Sequence, residues 1–287
     1  MPARATVGTT REPRERPPAP EPLRVAVADS HCHLDMAGPT GEPLPVGDAI
    51  AAASAVGVTR IVAIGCDLPG ARWAVEAARQ HDAIVAGVSL HPNEAPRLAR
   101  DGAFEDALTT IDLLAADPGV RAVGETGLDH FRTGPEGRAD QEASFRAHIE
   151  MAKRHGKALV IHDRDAHDDV LRVLEEGAPD RVVFHCFSGD AAMAAHCVRR
   201  GWWLSFAGTV TFKNAVGLRE ALAATPLDRI LVETDAPFLT PMPYRGRTNA
   251  SYLVPHTVRE MAQVLDTPED DLCTAIAANT DAAFGPW

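Results

Sequence analysis

What this chain lacks narrows its class before any motif is considered. No stretch of its 287 residues stays apolar for the length of a bilayer crossing, so no membrane-spanning helix is expected. The cysteines (Cys32, Cys66, Cys186, Cys197 and Cys273) are odd in number and show no CxxC spacing, which argues against a disulfide framework or a structural zinc site. Each is read as a small buried hydrophobe. No G-x-G-x-x-G follows the first apolar run and no P-loop occurs anywhere, so the usual grounds for a nucleotide-binding sheet are missing. Positive charge is short as well, with 28 Lys and Arg against 40 Asp and Glu. A net charge of −12 provides no global field for a nucleic acid. A phosphate-rich substrate would need local cations, and bound divalent metal is one source of them.

What is present suits one α/β barrel or two smaller domains, with 45% hydrophobic and 24% charged residues. Residues 1–22, MPARATVGTTREPRERPPAPEP, are rich in Pro, Arg and Glu and have no apolar middle of a signal peptide. They are expected to form a disordered tail on a cytoplasmic protein, leaving 23–287 as a single domain. Beyond the tail, short apolar runs alternate with helical spacing. The runs are RVAVADSH (24–31), VTRIVAIGC (58–66), AIVAGVSLHP (83–92), VRAVGETGLD (120–129), KALVIHDRD (157–165), DRVVFHCFSG (180–189), GWWLSFAG (201–208) and DRILVETDAPFL (228–239). Helices are expected over 71–80, 104–115, 141–155, 191–200 and 252–265. Eight such units predict a closed (β/α)₈ TIM barrel rather than an open sheet.

In that fold the C-terminal ends of the strands carry the active site. Here those ends hold His31 and His33, His91, Glu125, His162, His185 and Asp235. Alternation along a strand turns His31 and His33 to one side and Cys32 to the other, which is the spacing two imidazoles need to share one ion. Four imidazoles and two carboxylates at one mouth predict a binuclear site. One ion would take His31, His33 and Asp235, the other His162 and His185, with Glu125 bridging. A carbamylated lysine is the alternative bridge, but Lys153, Lys157 and Lys213 are the only lysines and none ends a run.

At this point the motifs DSHCHLD, SLHP, AVGETGLD, VIHDRDA, FHCFSGD, SFAGTVTFKN, LVETDAPFL and PYRGRTN resemble, in order and spacing, the TatD family of metal-dependent hydrolases, from about Val25 to Phe284. The resemblance implies the same six metal ligands, a (β/α)₈ barrel, and deoxyribonuclease or exonuclease activity, with DNA as substrate in single-stranded form or at 3′ ends. Asp163, where relatives often carry Thr or Ser, and His130, where an aromatic is usual, depart from the pattern at the mouth.

Water between two divalent ions becomes acidic enough to attack at neutral pH, and Asp235 is the candidate to take its proton and pass it to the leaving group; Glu125 is grouped with it as catalytic. Mg²⁺ or Mn²⁺ suits phosphodiester chemistry, and Zn²⁺ suits the imidazoles. Glu233 is expected to orient a metal-bound histidine. His91, Arg164 and Arg245 are expected to meet substrate phosphate. The six histidines 81, 148, 155, 167, 196 and 256 are read as solvated or capping, and Trp202 and Trp203 as packing. The acidic balance keeps open a hydrolase of a small ester, lactone or aminoacyl ester. A non-catalytic binding module is disfavoured because all six ligands are intact. No membrane and no obligate protein partner is expected.

Overall fold

The computed structural model describes residues 16–38 and 43–287. Eight strands run in parallel in sequence order. They are β1 (Val27–Cys32), β2 (Val58–Gly65), β3 (Ile84–Val88), β4 (Val120–Asp129), β5 (Ala158–Arg164), β6 (Val182–Phe184), β7 (Trp203–Phe206) and β8 (Ile230–Val232). The ring is completed at its mouth just beyond β8. There the Asp235 N–H donates to His31 O at 2.9 Å and the His33 N–H donates to Ala236 O at 2.7 Å. All eight strands lie inside the apolar runs of the sequence or within one residue of them. The last extended segments are shorter than expected because the chain leaves the ladder early, with positive φ at Cys186 (42°) after β6 and at Asp235 (53°) after β8.

Alternation along the strands splits the core in two. In β2, Val62 and Ile64 join Val85, Val160, Val183, Trp203 and Leu231 inside the barrel, while Ile61 and Ala63 face the helical shell. A fully buried aliphatic or aromatic side chain contributes roughly 1.5–3 kcal/mol.

The shell consists of α1 (Val46–Ser54), α2 (Leu68–Gln80), α3 (Ala95–Arg100), α4 (Phe104–Ala115), α5 (Arg138–His155), α6 (His167–Gly177), α7 (Ala191–Arg199), α8 (Val216–Ala223), α9 (Val254–Val264) and α10 (Glu269–Phe284). Local chemistry fixes several ends. Asp67 caps α2 by accepting from the Gly70 N–H at 2.7 Å, and Asp190 caps α7 by accepting from the Met193 N–H at 2.9 Å. Gly156 ends α5 in a left-handed conformation at φ 62°.

The five expected helices are present as α2, α4, α5, α7 and α9, α6 begins at His167 where a helix start is expected, and α1, α3, α8 and α10 are additional. The α10 omission matters most, because its Ala283 and Phe284 enter the inner core. Its buried stripe is interrupted by Asn279 and Thr280, which hides the apolar period. The Asn279 amide instead donates to Leu227 O and Ile230 O at 2.7 and 2.8 Å, tying α10 to β8.

Of the expected tail, residues 1–15 lie outside the described residues. Residues 16–22 run along the barrel, where the Tyr252 hydroxyl donates to Pro17 O at 2.6 Å and the Arg259 guanidinium donates to Glu21 O at 2.7 Å. Among the described residues no helix is long and apolar enough to cross a membrane.

Candidate metal centre

Four features of the backbone bring the predicted side chains to one point. Alternation in β1 turns His31 and His33 to the mouth, while Cys32 packs outward beside the Ser251 hydroxyl at 3.8 Å. The β8–β1 seam carries Asp235 against both imidazoles, its Oδ1 lying 3.3 Å from His33 Nε2 and 3.9 Å from His31 Nε2. β6 ends just before His185, whose N–H still donates to Ile161 O at 3.1 Å. Finally, β4 carries an extra residue against β5, because its register shifts between Val123 and Thr126. Such a bulge re-aims a side chain, here Glu125. Glycines on either side permit the approach: a Cβ on Gly124 would lie 2.5 Å from Val160 O, and one on Gly127 would collide with His162 O.

Glu125 is the hub. Its Oε1 lies 3.7 Å from His31 Nε2 and 3.5 Å from His33 Nε2. Its Oε2 lies 2.8 Å from His185 Nε2, 2.9 Å from His162 Nδ1 and 4.0 Å from His91 Nε2. Metal-compatible triplets, with ligand atoms within 4.8 Å of one another, are formed by His31, His33 and Asp235, by His31, Glu125 and His185, by His91, Glu125 and His162, and by His33, Cys66 and Glu125.

The donor set fits divalent cations. His31 is fully buried, yet neither ring nitrogen has a hydrogen-bond partner. A buried polar atom in that state is costly unless something else completes it. The charges point the same way. Burial drives His31 down to about 3, leaving a neutral imidazole with a free lone pair. Burial also opposes charge on His33, but Asp235 and Glu125 outweigh it and raise His33 to about 9. For Glu125, burial is likewise overcome by His185, His162 and His31, which hold its carboxyl well below the usual range. Two bound cations can take over the balancing role that protonated His33, His162 and His185 play. Imidazole and carboxylate donors suit Zn²⁺, Mn²⁺ and related ions, and the two sets have capacity for a pair.

All six predicted ligands therefore converge, and the other site residues divide. Glu233 is fully buried, and its Oε1 accepts from the Cys186 N–H at 2.8 Å and faces His185 Nδ1 at 3.3 Å. Burial pushes its carboxyl up to about 7. His91 stands beside His162, with ring centroids 4.5 Å apart. Arg164 and Arg245 lie instead on aromatic rings, 3.9 Å above Phe131 and 4.4 Å above Phe212.

Sequence reasoning missed three contributors and misread a fourth. Asp129 places Oδ2 3.4 Å from His162 Nε2 and is itself held by the Asn93 amide (3.1 Å) and the Arg132 N–H (2.8 Å). It shares the parity of Glu125 along β4, a signal present in GETGLD. Asp29 accepts from the Thr234 hydroxyl at 2.6 Å and its N–H at 2.9 Å, bracing the seam that positions Asp235. Cys66 is no core hydrophobe: it is half-buried at the mouth, and its thiol donates to Glu125 Oε1 at 3.2 Å. Cys186 is half-buried too, leaving Cys32, Cys197 and Cys273 as the buried ones. Applying the strand-end rule to β2 would have found Cys66.

His148 is the misread one. It is fully buried in α5 rather than solvated or capping, with Nδ1–H donating to Ser144 O at 2.7 Å and Nε2 accepting from the Leu90 N–H at 3.0 Å. It thereby fixes the backbone next to His91.

A parallel eightfold barrel with histidines and carboxylates gathered at its mouth defines a metal-dependent hydrolase. The model of the TatD related DNase family matches residues 28–285, so the chain belongs to that family. The metal-dependent hydrolase TatD of Mycobacterium tuberculosis is 44% identical over 264 residues, covering 90% of this chain and 98% of the relative. The metal-dependent hydrolase YcfH of Escherichia coli is 36% identical over 260 residues, covering 90% and 95%. The crystal structure of YjjV, a TatD homologue from Escherichia coli, superposes with a TM-score of 0.81 at 25% identity, covering 91% of this chain and 98% of that one.

Proposed function

We propose that this hydrolase is a deoxyribonuclease, acting through residues 23–287 on single-stranded DNA or 3′ ends. The observation that carries the reading is Glu125, one carboxylate whose two oxygens face separate histidine sets. In this reading His31, His33 and Asp235 would hold one ion and His162 and His185 the other, with Glu125 within reach of both sets. When bound, such a pair supplies Lewis-acid polarisation of a phosphoryl oxygen and lowers the pKa of water toward about 7. Asp235 stays ionised despite burial because His33 and the other imidazoles hold its carboxyl low. It can therefore accept the proton of the attacking water and return it to the leaving oxygen. Glu233 fixes His185 through Nδ1, and Asp129 supplies a negative charge 3.4 Å from His162 Nε2. His91, Arg164 and Arg245 receive phosphate oxygens. Mg²⁺ or Mn²⁺ is the working pair for this chemistry, with Zn²⁺ the competitor. Five cysteines without a pairing pattern support a reducing, cytoplasmic setting.

The net charge of −12 favours a second reading, hydrolysis of a small ester, lactone or aminoacyl ester. One experiment separates the two. Chelated protein is resupplied with Mg²⁺, Mn²⁺ or Zn²⁺ and given labelled single-stranded DNA, with Glu125→Ala in parallel. The nuclease reading expects metal-dependent cleavage that weakens as salt rises and vanishes in the variant. Absence of cleavage with two ions bound per chain, together with salt-insensitive ester hydrolysis, would establish the alternative.

A further inference from the structure

Among the described residues only two aromatic side chains are exposed, Phe131 at 63% and Phe238 at 45%. Both stand on mouth loops, Phe131 two residues beyond β4 and Phe238 six residues beyond β8. In a ring of eight strands paired in sequence order, β4 and β8 are half a turn apart. The two rings therefore rise from opposite sides of the mouth, on the same strands that deliver Glu125 and Asp235.

Neither ring sits on a loose loop. Around Phe131, the His130 N–H donates to Arg164 O at 2.9 Å, the Arg132 N–H to Asp129 Oδ1 at 2.8 Å and the Thr133 N–H to Asp129 O at 3.1 Å. Around Phe238, its own N–H donates to Asp235 O at 2.8 Å, and the Asn249 amide donates to Phe238 O at 2.7 Å. The Phe238 ring lies 6.3 Å from that of His33, beside the ligand cluster. A pinned backbone presenting a bare aromatic face to water does nothing for the core, and solvent exposure of that face is unfavourable.

Arg164 adds the second half of the argument. Its guanidinium covers one face of Phe131 at 3.9 Å and has no ion pair or hydrogen bond of its own among the described residues. Several arginines of the shell are by contrast neutralised, as in the Arg146, Arg172, Glu142 and Glu176 group. An uncommitted, pre-stacked guanidinium beside an exposed ring is how proteins without a basic surface can still hold a single strand. Stacking supplies affinity that salt does not screen, and one fork takes a phosphate.

We propose, resting on the nuclease reading above, that Phe131 and Phe238 are base-stacking platforms for the nucleotides on either side of the scissile phosphodiester, with Arg164 gripping the backbone beside Phe131. The substrate is thereby a single strand with unstacked bases, because paired bases offer no free face. Stacking on an aromatic is worth roughly 1–3 kcal/mol per base, or about 5- to 100-fold in affinity.

The test compares metal-loaded wild type, Phe131→Ala, Phe238→Ala and Phe238→Trp on two oligodeoxynucleotides. One is intact, and the other is abasic at the two nucleotides flanking the cleaved bond. Metal content and thermal unfolding establish that each variant is loaded and folded. On the intact strand each alanine variant is expected to lose about 5- to 100-fold in kcat/KM, mostly through KM, with Phe238→Trp restoring it. On the abasic strand wild type and every variant fall to one common level, below that of either alanine variant on the intact strand, because both stacked bases are gone and each alanine variant had lost only one of the two contacts. Alanine variants that cleave both strands as wild type does, or that lose equally on both, would overturn the platforms while leaving the nuclease reading intact. Wild type that cleaves neither strand, yet hydrolyses a carboxylic ester, would remove both.

Discussion

The same eight strands build two environments one or two residues apart. Inside the barrel, Val62, Ile64, Val85, Val160, Val183 and Leu231 close on Phe284 and leave nothing to bind. At the mouth, His31 has both ring nitrogens unpartnered, and Glu233 Oε2 and His162 Nε2 are buried without a hydrogen bond. The aliphatic interior has no polar groups to satisfy, whereas the mouth gathers several. Stability should therefore depend on the interior and activity on the mouth, and substitutions can test how cleanly the two separate.

The largest effect expected is at the hub. Glu125→Ala should cost at least about a thousandfold in turnover, since in the proposed two-ion arrangement it removes a ligand shared by both cations, worth several kcal/mol of transition-state stabilisation. Metal analysis should show fewer than two ions per chain. Cleavage rates within tenfold of wild type would break the comparison from the functional side.

Next comes the interior. Phe284→Ala should destabilise the fold by about 3–5 kcal/mol in urea unfolding, while the folded fraction keeps its specific activity. A matching loss of specific activity would mean that the two regions are coupled.

His148 tests the border between them. Burial pulls its imidazole down to about 4 from 6.5, so the folded state favours the neutral form. Its contribution is present above the unfolded value and is lost as pH falls from 6.5 through 4, by on the order of 3 kcal/mol in full. Urea midpoints at pH 8 and pH 5 should show this slope in wild type, and His148→Gln should flatten it. An equal slope in the variant would place the effect elsewhere.

The smallest effect expected is at the mouth's support. Glu233→Gln should weaken metal affinity by about 10- to 100-fold, because the amide still reaches His185 but no longer carries the negative charge that holds the proton on Nδ1 and makes the other ring nitrogen a better donor. A competition titration with a chelator measures it, and unchanged affinity would remove Glu233 from the centre.

Much of this was legible from residue order alone. Strand and helix alternation gave eight units because strands buried on both faces must be short apolar runs. The period of two in DSHCHLD assigned His31 and His33 to one side, and position at a run's end sufficed for Glu125, His162, His185 and Asp235. α10 was not legible, since Asn279 and Thr280 break its stripe to serve β8, a partner distant in sequence.

The roles of Asp129, Cys66 and His148 were harder to read for a related reason, although parity along β4 and position at the end of β2 marked the first two. Their importance lies in what they touch: His162, Glu125 and the Leu90 N–H, at separations of 33 to 59 residues. Local pattern determines which face a side chain occupies, because backbone period is a local property. Which groups meet across the mouth depends on ring closure at Asp235 and Ala236 and on the bulge in β4, and these were decided only when the barrel closed.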